Sequence, residues 1–194
     1  MIQRICVFCG SNSGTNPAFI ESAQTFGAEL AARGIGLVYG GGRVGLMGEL
    51  ANSVLRSGGE VVGVIPEALF TKEVGHTGLT QLHVVGTMHD RKGMMAQLAD
   101  AFVTLPGGFG TMEEFFEVLT WAQLGIHTKP CGLLNVAGYY DPLLALFDDF
   151  VRYRFARPEH LDFVLTDTAP AALLAKLTSY VAPTRTRWIT DEEV

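Results

Sequence analysis

Seven short apolar runs, rich in β-branched residues, recur along the chain at 5–9, 36–39, 61–65, 82–85, 101–105, 131–136 and 163–165. Between them lie longer segments with helical spacing of apolar positions, at 17–33, 45–57, 88–100, 111–124, 142–154 and 169–180. Strand and helix therefore alternate, which predicts an α/β protein: a doubly wound parallel sheet in a three-layer α/β/α sandwich. Pro17 suits a first helical turn and Gly34 a position just past the end. From Pro183 the composition turns polar, so residues 1–182 are expected to form one domain and 183–194 a loose tail or interface arm.

Three glycine-bearing turns follow three of these strands: Gly10-Ser11-Asn12-Ser13-Gly14, Gly40-Gly41-Gly42-Arg43-Val44-Gly45 and Pro106-Gly107-Gly108-Phe109-Gly110-Thr111. All belong at the carboxyl edge of the sheet, where ligands of open α/β folds bind, so distant turns can converge on one crevice. The third leads into a helix carrying Glu113 and Glu114. Glycine lets backbone amides approach an anion, and the first helical turn adds unpaired N–H groups and a partial positive charge. A phosphate cradle beside a carboxylate is the expectation. Gly40, Gly42 and Gly45 also match G-x-G-x-x-G, with Glu60 twenty residues on. That fingerprint belongs after the first strand rather than the second, so a NAD site or plain tight packing is the lesser reading.

Thr87 and Asp90 mark a helix start, yet Arg91 and Lys92 follow at once. Cations there oppose the macrodipole by about 0.3 to 1 kcal/mol each, so a bound anion or a facing carboxylate should compensate them. Thr111-x-x-Glu114 has capping-box spacing, which would make Glu114 a helix cap. Glu113, Glu114 and Glu117 crowd one helix with repulsive pairs that a nearby cation would relieve.

Composition narrows the classes further. The 194 residues are 48% hydrophobic with a formal net charge of −6, and the 14 Lys and Arg are scattered, which disfavours a polynucleotide partner. No apolar run approaches a membrane span. Three cysteines and the absence of a secretory start point to a reducing cytoplasm. Cys6 and Cys9 fall on opposite strand faces and read as core residues, and the five histidines lack ligand spacing, so no metal is expected. The aromatics Phe115, Phe116 and Trp121 read as core or subunit contacts.

With Gly40-Gly41-Gly42, Met88-His89-x-Arg91-Lys92 and Pro106-Gly107-Gly108-x-Gly110-Thr111-x-x-Glu114 in this order, the chain resembles the LOG family of cytokinin-activating phosphoribohydrolases from Ile5 to about Val181. The resemblance implies a Rossmann-like homodimer without organic cofactor. It would hydrolyse the N-glycosidic bond of a nucleoside 5′-monophosphate, AMP or N6-isopentenyl-AMP, to free base and ribose 5-phosphate. It carries the catalytic pair onto Arg91 and Glu114. The nucleotide site falls on Gly41, Gly42, Lys92, Gly107, Gly108, Phe109, Gly110, Thr111, Met112, Glu113 and Thr120, with Glu73 facing the ligand from a loop. Relatives labelled lysine decarboxylases would need pyridoxal phosphate on a lysine, and of the four lysines only Lys92 falls in a motif. A nucleotide sensor on the same fold is the rival from a different class.

Overall fold

A computed structural model describes residues 1–70 and 75–183. Its strands are β1 (Arg4–Phe8), β2 (Gly36–Tyr39), β3 (Val61–Pro66), β4 (Gln81–Val85), β5 (Ala101–Thr104), β6 (Cys131–Leu134) and β7 (Val164–Asp167). Its α-helices are α1 (Pro17–Ala32), α2 (Gly45–Arg56), α3 (Glu67–Phe70), α4 (Met88–Leu98), α5 (Phe109–Leu124), α6 (Asp141–Arg152) and α7 (Pro170–Ser179). The expected alternation is present, and the four-residue α3 and two 3₁₀ turns, Val136–Gly138 and Pro158–Phe163, are additions that periodicity did not signal.

All seven strands pair in parallel in the order β4-β3-β2-β1-β5-β6-β7. The chain winds outward from β1 to β4, returns to β5 on the other side of β1, and winds outward again to β7. The sheet is wrapped on both sides. Ile5, Val7, Leu37, Tyr39, Ala101 and Val103 join a core with α1, α2 and α7, whereas Cys6, Phe8, Val38, Val62 and Phe102 meet α4 and α5. That two-sided burial explains why the strands read as continuous apolar runs. Cys6 and Cys9 accordingly lie in different cores, both buried and unpaired.

Local sequence sets several helix ends. Asn16 caps α1 by accepting from Ala18 N–H at 3.0 Å, with Pro17 at the first position. Thr87 and Asp90 form a reciprocal capping box on α4, with Thr87 Oγ1 accepting from Asp90 N–H at 3.1 Å and Asp90 Oδ2 from Thr87 N–H at 3.0 Å. The capping-box reading of α5 does not hold. Gly108 is its N-cap and makes no side-chain cap, Thr111 is buried inside the first turn, and Glu114 stands further along the helix. Gly45, with φ of 59°, must be glycine because a Cβ there would run into the Ser11 backbone. This close approach seats α2 against the loop after β1.

Candidate active site

Strand order reverses between β1 and β5, so the loops leaving their carboxyl ends part and open a crevice. A cleft of about 440 Å³ lies there. The turn after β1 supplies Gly10 to Gly14, α2 supplies Leu46 and Met47, α4 supplies Met88 and Arg91, and the turn after β5 supplies Pro106 to Thr111 with Glu113 and Glu114 behind it. Two of the three glycine turns thus converge directly. The Gly40 turn contributes from behind, since Gly41 packs towards Ile65 and Leu82 and Gly42 bridges to Gly75.

Arg91 is 7% exposed and is fixed by two carbonyls: Nε donates to Val64 O at 3.2 Å and Nη2 to Gly40 O at 3.1 Å. Its third contact is Met88 Sδ, 3.8 Å from Nη1. The absence of a side chain at Gly40 makes room for the guanidinium, because a Cβ would occupy the place of Arg91 Nη2. Glu114 Oε1 lies 4.0 Å from Arg91 Nη1, close enough for attraction but too far for a hydrogen bond. Burial pushes the Glu114 carboxyl up to about 7, against the opposing pull of Arg91, with Glu113 adding to the rise. Desolvation wins because the arginine donates to the backbone instead. The result is a carboxyl that changes charge near neutrality inside a cleft, which is typical of groups that handle protons.

Lys92 does not line the cleft. Its ammonium donates to Glu113 Oε1 at 2.6 Å and Glu117 Oε1 at 2.8 Å, joining α4 to α5. These are the facing carboxylates that the adverse position of Lys92 called for, and they relieve the Glu113/Glu117 repulsion. Met112 packs on the Phe115–Tyr140 cluster and Thr120 is exposed, so neither lines the cleft. Glu73 lies outside the described residues. Sequence reasoning did not single out Ser11, Asn12, Phe19 or Tyr139, which do line it. Of these, the first two sat in a recognised glycine turn. Cys9 also lines the cleft, and burial pushes its thiol well above the usual range, which favours the protonated form.

Fold and cleft together define a Rossmann-like α/β protein whose cleft sets a glycine turn and helix start beside a buried carboxyl. Residues 47–177 match a family model described as possible lysine decarboxylase. The chain is 50% identical over 195 residues to a probable cytokinin riboside 5′-monophosphate phosphoribohydrolase of Oryza sativa subsp. japonica, covering 97% of this chain and 87% of the relative. It is 46% identical over 179 residues to the enzyme of that name from Arabidopsis thaliana, covering 92% and 84%. The chain belongs to this family, the LOG phosphoribohydrolases. The molybdenum cofactor carrier protein of Chlamydomonas reinhardtii shares the fold, with a TM-score of 0.68 at 21% identity over 92% of this chain and 97% of that one.

The decarboxylase description would require pyridoxal phosphate on a lysine, and the described residues do not fit it; Lys72 lies outside them. No lysine among the described residues lines the cleft. Lys92 is held by two carboxylates, Lys129 donates to Ala96 O, and Lys176 donates to Thr166 O.

Proposed function

We propose that this chain hydrolyses the N-glycosidic bond of an adenosine 5′-monophosphate, plain or N6-substituted, to the free base and ribose 5-phosphate. The observation that carries this is Glu114, 13% exposed in the cleft, beside a helix N-terminus and 4.0 Å from a fixed arginine. As the base departs, the ribose gains oxocarbenium character, and a nearby carboxylate interacts more strongly with that state than with the substrate. Water supplies the oxygen that bonds to C1′ as the C1′–N9 bond breaks. Ionised Glu114 orients this water and takes up its proton, and the departing base is protonated in turn. Positioned proton transfer of this kind is worth about 10² to 10⁴-fold. Arg91 holds its charge beside the carboxylate and the nucleotide.

The first turn of α5 and the amides of Gly107 to Thr111 suit the 5′-phosphate, which fixes the sugar for attack. The net charge of −6 supports a small-molecule rather than a polynucleotide partner. No helix among the described residues is long and apolar enough to cross a membrane. A homodimer working in the cytoplasm, with 1–182 as the catalytic domain, is part of the same reading, and sedimentation equilibrium tests its assembly.

Chromatographic detection of free base from AMP and N6-isopentenyl-AMP is the deciding experiment. Release by the parent and not by Glu114→Gln is expected, with nucleotide binding kept in both. Saturable binding without release by the parent would favour a sensor.

A further inference from the structure

Two adjacent tyrosines from the loop after the neighbouring strand β6 reach the glycine turn after β5. Tyr140 Oη donates to Leu105 O at 2.7 Å, and Tyr139 Oη donates to Gly107 O at 2.6 Å. Between them, Gly10 N–H donates to Pro106 O at 3.0 Å. Three consecutive carbonyls are therefore engaged by donors from elsewhere in the fold, and this fixes the orientation of the intervening peptide planes. With the carbonyls held and Pro106 lacking an N–H, the amides that follow are committed to one direction, alongside the unpaired N–H groups that open α5.

The loop that presents the tyrosines is itself over-determined. Ala137 sits at φ 52° and ψ 32°, left-handed backbone that a residue other than glycine rarely adopts. Asn135 pins the turn from both sides, its Oδ1 accepting from Tyr140 N–H and its Nδ2 donating to Asp141 Oδ1, each at 2.7 Å. Strain of this kind persists where surrounding contacts enforce it, and such places cluster at functional sites. The Tyr139 ring also meets Phe19 edge-on, with centroids 5.5 Å apart, and is itself 42% exposed at the cleft rim. Its hydroxyl has a fixed partner although its ring is open to solvent.

We propose that Tyr139, supported by Tyr140 and Asn135, is a positioning residue that aligns the Gly107–Thr111 amides for the phosphate of the ligand by holding the Gly107 carbonyl. This rests on the phosphoribohydrolase reading for the identity of the ligand, but the alignment concerns the phosphate alone. Tyr139→Phe keeps the ring and its packing and removes one donor. It should weaken phosphate-bearing ligands selectively, by about 3- to 10-fold, the scale of one neutral hydrogen bond. The inhibition constant of ribose 5-phosphate should rise by that factor while that of adenine stays level, and the loss in AMP hydrolysis should fall mainly on KM.

Calorimetric titration with inorganic phosphate tests the proposal without any turnover. Weaker phosphate binding by Tyr139→Phe, with both proteins fully folded at the titration temperature, supports it. Equal binding by parent and variant, no binding by the parent, or a parallel loss for adenine overturns it. Intact phosphate binding by a parent that releases no base would overturn the hydrolase reading and leave the tyrosine proposal standing.

Discussion

Glu114 and Arg91 show how one residue's chemistry depends on where its neighbour's hydrogen bonds go. Burial raises the Glu114 carboxyl to about 7, and because Arg91 donates to Gly40 O and Val64 O its attraction at 4.0 Å offsets that rise only in part. Two predictions follow for this carboxyl. If the ionised form is the working one, kcat/KM should climb through about pH 7 to a plateau, and a limb near the ordinary carboxylate value of 4.5 would contradict it. For stability, a folded pKa above the unfolded one means that the group favours the fold below about 4.5 and loses this contribution as pH rises through about 7. Glu114→Gln should hence be more stable than the parent at pH 8, by up to about 3 kcal/mol, with the gap closing in acid. Urea melts at the two pH values measure this. Gly40→Ala should displace the Arg91 guanidinium and cut kcat/KM by about 10²-fold with the fold intact, the scale of a misplaced catalytic group.

At the scale of elements, the site depends on how α4 and α5 are held side by side at the carboxyl edge. Lys92 joins them through Glu113 and Glu117, with its own side chain only 10% exposed. Lys92→Met should lower the unfolding free energy by about 1 kcal/mol, since Glu113 is half exposed and solvent screens part of the interaction. Adding Glu117→Gln should recover part of the loss by removing like-charge repulsion, and non-additive urea midpoints would register the coupling. Additive losses would show that Lys92 and Glu117 are not energetically coupled. The start of α5 carries a related lesson. Thr111 and Glu114 had the spacing of a cap, but the helix begins at Phe109, and this places Glu114 in the cleft rather than back over the helix terminus. A glycine N-cap has no side-chain signature, so the cap spacing at Thr111 was a false start three residues late.

For the molecule as a whole, the reversal of strand order beside β1 places a phosphate-suited turn and a carboxylate in one crevice. Binding energy from a phosphate remote from the broken bond can then be used to position the sugar. AMP should be cleaved with a much higher kcat/KM than adenosine, and equal values in a steady-state assay would remove the phosphate from the mechanism.

The alternation of apolar runs with helical segments was enough to determine a parallel, doubly wound sheet, because two-sided burial leaves continuous apolar strands and each crossover needs a helix. The Pro106–Thr111 turn and the adverse cation Arg91 were also legible, since glycine turns after strands and cations at a helix start are local signals, whereas local spacing made Glu114 a helix cap and only the family resemblance set it beside Arg91. Contacts between segments distant in the chain were not. Lys92 meets its carboxylates 21 and 25 residues away, and Tyr139 meets Gly107 32 residues away, so only the folded chain shows that the lysine is held outside the cleft and that a tyrosine holds the glycine turn. Local propensity determined the elements, and tertiary packing decided which polar groups were left facing the cleft, because that depends on which donors and acceptors find partners when the layers close.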